Sequence, residues 1–202
     1  SIGHFNSAAI DTVAIVFMIL GSIPFILYVQ MLQGRYKPLL QDLQVRAFLL
    51  FLGFCIIMAM IMAVISGAHQ GIDALRYAAF NVVSIVTGTG YASTDYGTWG
   101  PQAVTFFFLI MFVGGCAGST SCGIKIFRFQ VLFQAVKMHL NHVMYPSGVF
   151  KPMFNKRPIQ KHVISSVMAF FFLFIASFMV LAFALKLTGL DTTTALSGAG
   201  SA

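Results

Sequence analysis

Four long stretches of the chain carry no charged side chain, at 12–34, 47–72, 96–124 and 162–185. Each exceeds the roughly 20 residues that a helix needs to cross a hydrocarbon core about 30 Å thick. A fifth uncharged run, 77–94, is shorter and is interrupted by Gly88 and Gly90. As a helix, its portion before the glycines, 77–86, reaches about 15 Å, half the depth of that core. Such a segment dips in, turns at the glycines and returns. Irregular backbone at membrane depth is tolerated only where protein or a water-filled cavity surrounds it. A half-crossing helix that ends in Thr and Gly is therefore a candidate lining for an ion path. A membrane-helix break with a glycine turn is the alternative.

The rest of the composition agrees with a membrane protein. Hydrophobic residues make up 58% of the chain and charged ones 8%, with no Glu, against about 25% charged in a soluble domain. The basic residues give an orientation. Arg35, Lys37 and Arg46 fall between the first two long stretches. Lys125, Arg128, Lys137, Lys151, Lys156, Arg157 and Lys161 fall between the third and fourth, and only Arg76 and Lys186 lie on the other side. The positive-inside bias then puts 34–46 and about 128–161 in the cytoplasm, with the glycine turn opening outward. The net charge of +7 mostly expresses this bias. No basic face of a folded domain is visible, so nucleic acid is not an expected partner.

Around the turn, the residues Thr87, Gly88, Thr89, Gly90 and Tyr91 follow one another. Glycines take backbone angles closed to other residues, so successive carbonyls can point the same way. Carbonyl rings replace the water shell of a permeating cation, and a helix over 73–86 aims its negative end at the same place. Asp73 suits the start of that helix. Asp95 lies just outside the turn, either raising cation concentration at a mouth or simply solvated. Pro24 is expected to kink the first span, and Pro101 to open the third. Pro146, Pro152 and Pro158 break up the second cytoplasmic stretch.

A second unusual segment is 114–123, with Gly114, Gly115, Gly118 and Gly123, Ser119, Thr120 and Ser121, Cys116 and Cys122, and Ala117. So many Gly and Ser/Thr favour a helix break; close helix packing through Gly114 and Gly118 is the alternative. Lys125 and Arg128 flank the cytoplasmic side, as gate residues or as interfacial snorkels. Cys116 and Cys122 make a poor metal pair without a nearby His or acid. His139 and His142 read as solvated or partner-facing. An electron-transfer or enzyme subunit is the alternative function class, and it needs axial His residues or a catalytic constellation inside the spans, which hold no internal His, Glu or Asp.

With T-G-T-G-Y-A at 87–92 and G-G-C-A-G-S-T-S-C-G-I-K at 114–125, the chain resembles the Trk/Ktr/HKT superfamily, and within it the bacterial Trk-type potassium-uptake membrane subunit. The resemblance implies an all-α membrane protein of membrane helix–pore loop–membrane helix repeats, with a re-entrant half-helix and a broken inner helix. It implies a K+ filter at Thr87, Gly88, Thr89, Gly90 and Tyr91, with K+ bound at the first four. It also implies an intramembrane gate loop at Gly114, Gly115, Gly118, Ser119, Thr120, Ser121 and Gly123. The pattern departs from the family at Gly88, where members often carry Thr. Substitution at Gly88, one step deeper, is expected to be milder than at Gly90.

The further implications are potassium uptake without enzymatic activity, and no cofactor beyond the permeant ion. The expected setting is the bacterial inner membrane, crossed several times. The expected partners are lipid, a second copy in a homodimer and a cytoplasmic nucleotide-binding regulatory subunit. Gly71-Ile72-Asp73 recurs as Gly189-Leu190-Asp191, an offset of 118, which would put another filter near position 206. The expected organisation is thus a fragment. Residues 1–33 close a preceding repeat, 34–46 link, 47–145 form one complete pore repeat and 146–202 begin the next.

Overall fold

A computed structural model describes residues 2–145, 148, 152–155 and 157–201. Pro146, Lys151 and Lys156, used above to read turns and orientation, lie outside the described residues. The chain divides into two compact units, 1–126 and 127–202.

In the first unit, α1 (Ala8–Gly21) and α2 (Phe25–Leu32) come from what the sequence presents as one span. Their axes differ by 93°. Pro24 has no N–H with which to continue the ladder, and the N–H groups of Ser22 and Ile23 turn back to Ile19 and Leu20 at 3.0 and 3.2 Å. The expected kink is therefore a full break, and neither the 14-residue nor the 8-residue piece is long enough to cross alone.

After a short α3 (Lys37–Gln41), α4 (Leu43–Ile65) runs unbroken for 23 residues. It begins four residues before the expected Ala47 because Asp42 caps it. Its Oδ1 accepts from the N–H groups of Gln44 and Val45 at 2.8 and 3.1 Å. α5 (Gly71–Thr87) packs on both α4 and α1. Ala59 and Ala63 on α4 and Ala74 and Ala78 on α5 are all fully buried, the small side chains that let two backbones approach. Asn81, Val82, Val83 and Ser84 are buried in succession, so the end of α5 is surrounded on every side. At 17 residues, about 25 Å, α5 is longer than the half-crossing piece expected over 77–86 and shorter than the roughly 20 residues typical of a crossing.

α6 (Pro101–Ile110) opens on Pro101 as expected, behind a buried Trp99. The next helix starts only at Ile126, so residues 111–125 are non-helical. The break is wider than the expected 114–123, and the stretch 96–124 is not one continuous span.

The second unit contains α7 (Ile126–Met144), a hairpin of β1 (Met153–Phe154) and β2 (Arg157–Pro158), α8 (Lys161–Leu187) and α9 (Thr192–Ser201). The Arg128 guanidinium lies 3.7 Å from the centre of the Phe170 ring. Asp191 accepts from both the N–H and the hydroxyl of Thr193, bonds that hold its carboxyl below its ordinary pKa. A long helix followed by a short one thus occurs twice, as α4–α5 and α8–α9. Asp73 lies in the first turn of α5, whereas Asp191 stands just before α9.

Among the described residues, α4 and α8 are the helices long and apolar enough to cross a membrane, with mean hydropathies of 3.0 and 2.6. The bent α1–α2 pair is a third crossing if counted as one span.

Candidate ion path and its loop

α5 ends in a Schellman cap. Gly88 sits in the left-handed region at φ 73° and its N–H bonds to Ile85 O at 3.1 Å, while the Thr89 N–H reaches Ser84 O at 3.0 Å. Gly90, at φ 76°, also reaches Ser84 O, at 3.4 Å. The Thr87 hydroxyl bonds Ser84 O at 3.3 Å and the Thr89 hydroxyl at 2.7 Å. These bonds fold the chain sharply back over the helix end. Residues 88–91 are exposed. Among the described residues, the carbonyls of Gly88, Thr89, Gly90 and Tyr91 accept no hydrogen bond. Four successive carbonyls next to a buried helix end are thus left without a partner within the described residues.

The returning strand is tied down. Ser93 N–H donates to Asn81 Oδ1 at 3.3 Å, and Asn81 Nδ2 donates to Tyr77 O at 3.0 Å. Asp95 then caps the short turn Tyr96–Trp99 by accepting from Gly97 N–H at 2.8 Å. Capping is a local role that neither sequence reading of Asp95 included.

The non-helical segment is held at its neck. Gly114 N–H bonds Ile124 O and Ile124 N–H bonds Phe112 O, both at 2.9 Å, and Ile126 N–H bonds Gly115 O at 3.1 Å. A Cβ on Gly114 would collide with the Cys122 carbonyl, and one on Gly115 would lie 2.6 Å from Ser121 Oγ. The glycines thus permit two backbones to touch. Inside the loop, Ser121 Oγ accepts from Gly115 N–H at 2.9 Å and Ser119 Oγ donates to Cys116 O at 2.7 Å. The Lys125 ammonium donates to the carbonyls of Ser119 and Ser121 and to the Ser121 hydroxyl. Lys125 therefore binds the loop itself. Because 111–125 is not helical, the close helix packing through Gly114 and Gly118 is not found.

Outside the loop, its bonds run to three places. Cys116 N–H reaches Ser22 O at 3.0 Å, Thr120 N–H and hydroxyl reach Gly21 O at 3.2 and 2.9 Å, and Phe25 N–H reaches Gly118 O at 3.1 Å. The α1–α2 break is thus the seat of the loop. Gln44 Oε1 adds a bond from Ala117 N–H at 3.0 Å. At the other end, Cys122 N–H donates to Thr87 O at 3.3 Å. The two glycine-rich segments singled out in the sequence are therefore in direct contact.

The TrkH family, described as "Cation transport protein", matches residues 1–202. The chain belongs to the TrkH family. Over 186 residues it is 45% identical to the Trk system potassium uptake protein TrkI of Halomonas elongata, covering 92% of this chain and 38% of that protein. It is 33% identical to the Trk system potassium uptake protein TrkG of Escherichia coli, over 86% of this chain and 36% of that protein. Its fold matches the crystal structure of the potassium transporter TrkH from Vibrio parahaemolyticus with a TM-score of 0.92 at 26% identity, over 100% of this chain and 44% of that one. The chain thus spans about two fifths of the length of these relatives. TrkH-family proteins are membrane transport proteins and not enzymes, and the expected all-α membrane architecture holds.

Within this TrkH-family chain, Cys116 is buried and Cys122 exposed. No group of three or more His, Cys, Asp or Glu is placed to hold a metal among the described residues. His139 and His142 are both exposed on α7. Sequence reasoning missed the ion pair of the buried Asp11 with the partly buried Arg76, 2.7 Å apart. The signal was present as two opposite charges, each near the start of an apolar run.

Proposed function

We propose that the chain is part of a Trk-type transporter that takes up K+ across the bacterial cytoplasmic membrane. Residues 87–91 serve as its filter and 114–123 as its gate. The single observation that carries this reading is the run of unpartnered carbonyls at Gly88–Tyr91 after the buried end of the 17-residue α5. The names of the relatives support K+ as the cargo. In this reading K+ sheds water against carbonyls at Gly88, Thr89 and Gly90. The Thr87 carbonyl contributes its second lone pair, the first being shared with Cys122 N–H. The loop, sitting directly beneath, bars the way until its bonds to the α1–α2 break release. The whole transporter works in lipid as a homodimer, with a cytoplasmic nucleotide-binding subunit as its regulator.

Full-length transporter in cells that lack their own potassium uptake is expected to restore growth at low K+ and to drive rubidium uptake. Its Tyr145→Cys variant, made without the native cysteines, is expected to react with impermeant thiol reagents only after the cells are opened, in line with the Lys/Arg distribution. Correctly inserted protein that transports no rubidium contradicts the function. Labelling of Tyr145→Cys on intact cells contradicts the orientation.

A further inference from the structure

Asp11, in the first turn of α1, is 2% exposed, and its Oδ2 accepts from Arg76 Nε on α5 at 2.7 Å. This is the only salt bridge among the described residues. The Arg76 guanidinium also lies 5.1 Å from the centre of the Tyr77 ring, and Tyr77 Oη donates to Asn6 Oδ1 at 3.4 Å, just before α1. The Tyr77 carbonyl receives Asn81 Nδ2, whose Oδ1 takes the Ser93 N–H, and Ala92 O takes the N–H of Gly3. Both legs of the 87–91 turn are thereby referred to α1 and the residues before it: the inner leg through α5, the outer leg through 92–93.

An ion pair with one buried and one largely buried partner is poor support for stability, because desolvation offsets the attraction. What it supplies is a fixed geometry. Arg76 and Thr87 are eleven residues apart, about three helical turns, so they lie on nearly the same face of α5. A rotation or slide of α5 at Arg76 therefore reaches the filter carbonyls undiminished.

We propose that the Asp11–Arg76 pair is a positioning device for ion selection. It sets the depth and rotation of α5 against α1, and with them the register of the 87–91 carbonyls, without either side chain touching the ion. This rests on the reading of 87–91 as the filter.

The test uses full-length transporter with membrane insertion quantified and rubidium and sodium uptake measured together. Asp11→Asn and Arg76→Gln are each expected to lower the Rb+/Na+ ratio roughly tenfold, as displacement of a positioned group does. The double variant is expected to be no worse than the worse single, because the two act as a unit. Arg76→Lys, which keeps the charge but not the planar fork, is expected to retain part of the ratio. Gly90→Ser is the control. If it lowers the ratio while normally inserted Asp11→Asn and Arg76→Gln do not, the pair is merely structural and the proposal is overturned. If Gly90→Ser leaves the ratio intact as well, the filter reading fails and takes the proposal with it. Should Asp11→Asn fail to reach the membrane, Asp11→Glu and Arg76→Lys decide. Each shifts the pair by about one methylene, and wild-type ratios in both overturn the proposal.

Discussion

Full-length transporter lacking residues 116–121 is expected to take up rubidium about ten times faster than the intact protein, with its Rb+/Na+ ratio unchanged. A tenfold gain corresponds to lowering the barrier by about 1.4 kcal/mol. The deletion removes the bonds of Cys116, Gly118 and Thr120 to the α1–α2 break, and the Ser119 and Ser121 carbonyls that hold Lys125. It removes no residue of 87–91 and none of the bonds within the Schellman cap, so the Rb+/Na+ ratio is expected to hold provided that Cys122 keeps its bond to Thr87 O. Initial uptake rates per inserted molecule measure this. An unchanged rate in a normally inserted deletion means that the segment is structural filling and not a barrier.

Alanine at Gly88 is expected to destabilise the fold more than alanine at Gly90, a separate matter from the milder effect on ion selection expected at Gly88. Both positions are left-handed, at φ 73° and 76°, which costs a residue with a Cβ about 1–2 kcal/mol. At Gly90 a Cβ meets nothing within 4 Å, whereas at Gly88 it lies 2.7 Å from Cys122 Cβ and 3.2 Å from Cys122 N. Relief requires the loop to move, an overpacking cost of about 1–3 kcal/mol more. The unfolding midpoints of the two variants in detergent give the comparison. Equal midpoints would mean that the loop does not press on the helix cap.

Much of the architecture is legible in the sequence because uncharged length is a direct physical requirement of crossing a bilayer. The break near 114–123 is legible for a similar reason, since Gly and Ser/Thr at that density do not sustain a helix. Its extension to 111–125 is not. Val113 and Ile124, which pair at the neck, are as apolar as any helix residue, and only the hydrogen bonds between Phe112–Gly115 and Ile124–Ile126 take them out of the helix. Pro24 announces an irregularity but not its size. The 93° turn stands on bonds to Cys116, Gly118 and Thr120, about a hundred positions away. Gly88 illustrates a different limit. A glycine that caps a helix and a glycine that shapes a filter look alike in sequence, and only the bonds to Ser84 and Ile85 show that Gly88 closes the helix. The partnership of Asp11 with Arg76 spans 65 positions, and neither residue carries a local pattern that names the other.

If residues 87–91 choose the ion, a substitution there changes which ion passes. The decisive experiment is rubidium and sodium uptake, measured side by side in the full-length transporter and its Gly90→Ser variant with insertion checked separately. A side chain at Gly90 meets open space within this chain, so the variant is expected to fold while its left-handed angle turns a carbonyl away from the path. The account predicts a clear fall in the Rb+/Na+ ratio. A ratio equal to that of the unmodified transporter would contradict it.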